Sequence, residues 1–161
     1  MKILKILAVI LLAISLQGCS FDSPKYIHST EKKYDNFYTK EIYSKLLEDN
    51  NYTLEILDTN LYKSYQIDDN ENDVIENFIR SLSTDNFKSN EKIEEIAPYE
   101  MKIKFDDKSK YLIKVYNNST VSISPWDGIY PEDIIDMTDI PLKFNLFDFC
   151  KHIENIPRLN Q

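Results

Sequence analysis

One irregular segment, residues 124–133, concentrates the side chains with the most distinctive chemistry in this sequence. It reads SPWDGIYPED and contains the single tryptophan of the chain. We select five candidate binding residues from it: Trp126, Asp127, Tyr130, Glu132 and Asp133. Aromatic rings beside carboxylates suit the recognition of sugars or of cationic peptides. The alternative is that both rings pack as a lid over a sheet, because large aromatic side chains are mostly buried.

Nucleophilic catalysis has little support in a sequence with two cysteines and two histidines. Cys150 and His152 are two residues apart on a predicted helix, so their side chains point in nearly opposite directions and cannot pair as nucleophile and base. Cys150 also falls on an apolar stripe, which is typical of a buried structural thiol. We therefore predict no catalytic residues, no cofactor and no enzymatic activity.

Residues 68–73 form an acidic stretch before a helix predicted at 74–82, and their first positions resemble those of a calcium-binding loop. Asp68, Asn70 and Asn72 occupy the first, third and fifth ligand positions. The comparison fails at the sixth position, where Asp73 replaces the turn glycine, and at the twelfth, where Ile79 replaces the bidentate glutamate. We predict a polar turn that caps a helix and no metal site, with weak calcium binding at residues 68–73 as the alternative.

The amino terminus has the form of an export signal. Two lysines precede an apolar run over residues 6–16, about half the roughly 20 residues that a transmembrane helix requires. The run ends in LQGC at residues 16–19, which resembles the bacterial lipobox, where a small residue precedes a cysteine that is diacylated before the signal peptide is removed. We predict that residues 1–18 are a lipoprotein signal peptide and that Cys19 carries the lipid. This anchors the protein in the cell membrane on its extracytoplasmic face.

The remainder divides into a predicted lipidated tether, 19–36, and a single α+β domain, 37–161. Cleavage after residue 18 would leave 143 residues with a formal charge of −10, against −8 for the full chain. This acidity disfavours nucleic acid as a partner. The presence of only two glycines excludes the glycine-rich phosphate loops.

Hydrophobic periodicity predicts the helices and strands that position these residues. The predicted elements, in chain order, are a helix near 38–49, strands at 54–57 and 61–67, a helix at 74–82, strands at 99–105, 111–116 and 121–123, and a helix at 146–153. The order αββαβββα predicts an α+β fold with an antiparallel sheet, made of the hairpin and a three-strand meander, and with helices on one face.

The lipobox at residues 16–19, a body rich in lysine, asparagine and isoleucine, and the αββαβββα order together resemble the small uncharacterised lipoproteins of clostridial-type bacteria, grouped as a domain of unknown function. The resemblance implies location and size and supplies no catalytic residues. We expect a non-catalytic binding or accessory module for an envelope protein, a peptide or a glycan. The alternatives are an acidic inhibitor or immunity-type protein, whose charge would steer a basic partner, and a cell-envelope hydrolase.

Overall fold

The computed structural model describes residues 32, 34–48, 51–68, 71, 73–89, 93–126 and 130–156. The predicted signal peptide, the lipidation site Cys19 and most of the predicted tether lie outside these residues, as does Asp127. Among the residues that are described, no helix is both long and apolar enough to cross a membrane.

The described residues form three α-helices, namely α1 (Phe37–Leu47), α2 (Asp73–Ser81) and α3 (Leu146–Asn155). Each coincides with a predicted helix apart from its terminal residues. In α2 and α3 apolar residues at helical spacing become buried, whereas α1 buries Tyr38, Thr39 and Ile42 and leaves Leu47 exposed. In α2 the buried residues are Val74, Ile75, Phe78 and Ile79. Helix α3 begins at an N-cap, since Asn145 Oδ1 accepts hydrogen bonds from the first-turn N–H groups.

The strands of the described chain are β1 (Tyr52–Asp58), β2 (Lys63–Gln66), β3 (Phe87–Lys88), β4 (Tyr99–Phe105), β5 (Lys110–Val115), β6 (Thr120–Pro125) and β7 (Asp133–Asp136). They form one antiparallel sheet in the order β2-β1-β4-β5-β6-β7-β3. The α+β class, the hairpin and the meander are confirmed.

The sheet is wider than the sequence predicts, because β3 and β7 are added to it. The prediction of an irregular segment over 124–133 is wrong at both ends, since β6 extends to Pro125 and β7 begins at Asp133. Strand β7 has four residues and β3 has two, which is too short for alternation to be recognised. The meander continues through β7, and β3 pairs with it at the edge of the described sheet.

Alternation along the strands gives the sheet one apolar face. Its buried side chains include those of Leu54, Ile56, Met101, Ile103, Ile113 and Ile123. The buried residues of α1, α2 and α3 join these side chains in one core. The described helices therefore cover the apolar face, which confirms the predicted placement of helices on one face.

Candidate functional site

The opposite face of the sheet, which we call the open face, lies away from the described helices. Its side chains alternate with the core residues along β1 and β4 to β7: Glu55, Glu100, Lys102, Lys104, Lys110, Leu112, Lys114, Ser122, Ser124 and Ile134. Of the predicted binding residues, Trp126 lies on this polar face, where it continues β6 beside Lys110.

Trp126 follows directly on β6 and is 44% exposed. Its backbone N–H donates a hydrogen bond of 3.2 Å to the carbonyl of Lys110, which continues the pairing of β5 with β6. The Nζ atoms of Lys110 and Lys102 lie 5.3 and 5.5 Å from the centroid of the Trp126 ring, within the range of a cation–π contact. The indole borders a depression of about 250 Å³ that side chains of β1 and β2 complete.

Lys102 and Lys110 lie over this ring and Lys104 lines the same depression; we call Trp126, Lys102, Lys104 and Lys110 the basic patch. Lys104 lies directly opposite Lys110 in the register of β4 and β5, an arrangement of like charges that destabilises a sheet. None of the three ammonium groups forms an ion pair with a described carboxylate. The basic patch is therefore a local concentration of positive charge on an acidic protein.

Tyr130 and Glu132 border a second depression of about 310 Å³, together with Lys88, Lys114 and Tyr116. The Glu132 carboxylate accepts a hydrogen bond of 2.7 Å from Lys114 Nζ. Its backbone carbonyl accepts one of 2.6 Å from Lys32. Lys114 therefore neutralises the Glu132 carboxylate, and Lys32 holds the backbone of Glu132 in place.

Asp133 lies on the helix-covered face and is fully buried. Its Oδ2 accepts hydrogen bonds of 2.7 Å from the backbone N–H of Thr39 and 2.9 Å from its hydroxyl, while Lys32 Nζ lies 3.3 Å from Oδ1. Thr39 is the third residue of α1, so Asp133 acts as the cap that the N-cap residue Asn36 does not supply. Desolvation by burial raises the pKa of Asp133 to about 6.

The prediction that Asp133 contacts a ligand is therefore wrong, because its carboxylate is buried against α1. Trp126 and Tyr130 border different depressions, and Tyr130 is partly buried against the core. Lys102 and Lys110 lie over the Trp126 ring, whereas the sequence predicts aromatic rings beside carboxylates in this segment. The alternation in β4 and β5 already indicates lysines on the outward face of the sheet, since Lys102, Lys104 and Lys110 all occupy outward positions.

The described residues hold no group of three or more histidines, cysteines or acids that could bind a metal ion. Cys150 is buried, and desolvation raises the pKa of its thiol far above the ordinary value. His152 is exposed, so this cysteine and histidine face different environments, as the helical spacing predicts.

The geometry defines an α+β domain whose sheet is covered by helices on one face and exposes a basic, aromatic surface on the other. The chain belongs to the family described as domain of unknown function DUF4883, whose model matches residues 32–150. It is similar to a crystal structure of a "putative lipoprotein" from Clostridium perfringens, with 27% identity and a TM-score of 0.71 over 78% of this chain and 99% of that one. Comparison with curated proteins gave no significant match.

Proposed function

We propose that this protein is a lipoprotein anchored through Cys19 to the outer side of the cell membrane, with a folded domain that acts as a non-catalytic binding module. The motif LQGC at residues 16–19, behind a basic start and an apolar run, supports the anchor. The similarity to a protein described as a lipoprotein supports the same location.

The length of chain between the lipid and the domain allows the domain to stand away from the bilayer. Residues 20–31 separate Cys19 from the first described residue, Lys32, and twelve extended residues span at most about 40 Å. A strongly acidic domain is repelled by anionic lipid headgroups. The domain therefore remains accessible to components of the envelope.

One observation carries the binding role, namely the exposed indole of Trp126 on the open face. The indole is 44% exposed and borders a depression, so it offers a ligand an aromatic contact surface next to a cleft. The lysines around it favour a binding module over an acidic inhibitor, because this surface would repel a basic partner.

Replacement of Cys19 by alanine is expected to abolish both lipidation and membrane retention, because two acyl chains are required for stable anchoring. Metabolic labelling with an alkyne fatty acid, followed by membrane fractionation, measures both. Cys150→Ala is the matched control and should leave labelling and retention unchanged. A Cys19→Ala protein that still incorporates the label and sediments with membranes would contradict the anchor.

The binding role has its own test, in which the full-length protein is immobilised and incubated with solubilised envelope material. We expect selective retention of an envelope component, and a smaller amount of it after Trp126→Ala. Retention of nothing beyond a control lipoprotein would contradict the binding role while leaving the anchor intact.

A further inference from the structure

We propose that the basic patch binds an anionic glycan, with one sugar ring stacked on the exposed part of Trp126 and an acidic substituent held by the three lysines. This inference rests on the proposed binding role and adds to it the chemical class of the ligand.

The charge of the basic patch is the first argument. The chain carries 27 acidic and 19 basic residues, yet Lys104 and Lys110 face each other in register without a described carboxylate between them. Such a pair costs stability in the free protein. A carboxylate or phosphate bound between the lysines would remove the repulsion and form charge-assisted hydrogen bonds.

The surroundings of the indole favour a sugar as the body of this ligand. An aromatic face provides an apolar platform with a large contact area. Thr53, Glu55 and Gln66 line the same depression. The hydroxyl of Thr53 and the amide of Gln66 can donate and accept hydrogen bonds, and the carboxylate of Glu55 accepts them. The depression of about 250 Å³ lies below the roughly 300–1,000 Å³ of sites for drug-sized ligands, which suits a single ring of a longer chain.

Glu55 argues against occupants that carry charge along their whole surface. It lies opposite Lys102 in the register of β1 and β4, so one wall of the depression is negative. A nucleic acid strand or an anionic bilayer would bring negative charge against this wall and against an acidic protein. On an acidic sugar ring the charged substituent lies beside neutral hydroxyl groups, so one ring can direct its acid to the lysines and its hydroxyl groups to Glu55.

The single tryptophan of the chain makes the proposal directly measurable. Hexagalacturonate and a phosphomannan are titrated into the full-length protein in detergent, with binding followed by Trp126 fluorescence and by calorimetry. We expect saturable binding of at least one of these anionic glycans and a change in Trp126 emission. The methyl ester of hexagalacturonate keeps the sugar rings and lacks the charge. If hexagalacturonate binds, its methyl ester should bind at least about tenfold more weakly.

Two double variants separate the basic patch from general electrostatics. Lys102→Gln/Lys110→Gln should weaken binding of the anionic glycan by about tenfold or more. Lys143→Gln/Lys151→Gln is the matched control, because it removes the same charge from exposed lysines that also lie over aromatic rings, those of Phe144 and Phe147. The control should change the affinity by less than about twofold. Trp126→Ala, followed by calorimetry, should reduce the affinity without unfolding the protein.

Several results would overturn the proposal. Failure of both anionic glycans to bind would do so, as would equal weakening by the two double variants. Tighter binding of oligothymidylate, or of vesicles containing phosphatidylglycerol, would assign the patch to a different class of partner. If envelope material is still retained by Lys102→Gln/Lys110→Gln, the binding role stands and only the glycan assignment fails.

Discussion

Replacement of Phe78 by alanine is expected to lower the free energy of unfolding by about 3–5 kcal/mol, a large share of the 5–15 kcal/mol typical of a domain. The Phe78 side chain is fully buried in the apolar stripe of α2 and belongs to the core beneath the sheet. Its removal therefore loses apolar burial and leaves a cavity between packed elements. Chemical denaturation followed by circular dichroism measures the change.

Leu47→Ala provides the control for Phe78→Ala, since Leu47 is an apolar helical residue that is 59% exposed. This change should alter the free energy of unfolding by no more than about 0.5 kcal/mol. Equal effects of the two substitutions would show that α2 does not pack on the sheet through its predicted face. The open face lies on the other side of the sheet, so neither change should affect ligand binding by the folded protein.

Acidification from pH 7 towards pH 4 is expected to increase stability by about 2–3 kcal/mol through Asp133. Burial raises the pKa of this carboxyl from 3.8 to about 6, so the folded protein binds a proton that the unfolded chain releases over this range. The stabilisation is complete below the unfolded pKa and is lost as pH rises through the folded pKa. Asp136 and Asp107 have lowered pKa values in the folded protein, so they act in the opposite direction, mainly below pH 4.

Asp133→Asn is the direct test of this pH dependence, because asparagine keeps an oxygen acceptor for the N–H of Thr39 and does not titrate. Denaturation midpoints measured between pH 4 and pH 7 should show a much smaller slope for this variant. Asp139→Asn, at an exposed carboxylate, should retain the slope of the original protein. A slope that persists in Asp133→Asn would show that another group is responsible.

The sequence predicts the helices and the longer strands because their burial follows a simple period. Strand β4 illustrates this, since its alternation from Tyr99 to Phe105 is observed unchanged as buried and outward positions. Strands β3 and β7 escape prediction because they are short, and their pairing depends on the neighbours available in three dimensions.

The candidate site is predicted in part. Trp126 stands out in the sequence by the chemistry of its segment and is 44% exposed in the structure, while its role in binding stays a prediction. Its lysine neighbours come from β4 and β5, which are distant in sequence and reach the indole only through the register of the sheet. The charge of Asp133 makes it a candidate in the sequence, yet its role as the cap of α1 depends on a contact with Thr39, 94 residues away in the chain.

We propose a membrane-anchored domain that faces the outside of the cell and binds its ligand on the open face. Labelling of lysines on intact cells with a membrane-impermeant acetylating reagent, followed by mass spectrometry, tests this most directly. We predict that Lys40, Lys143 and Lys151, which are exposed on the helices and the turn before α3, are labelled equally on cells and in the purified protein. Lys102, Lys104 and Lys110 should be protected on cells and labelled after purification. Absence of all labelling on intact cells, or equal labelling of both sets in both samples, would contradict the account.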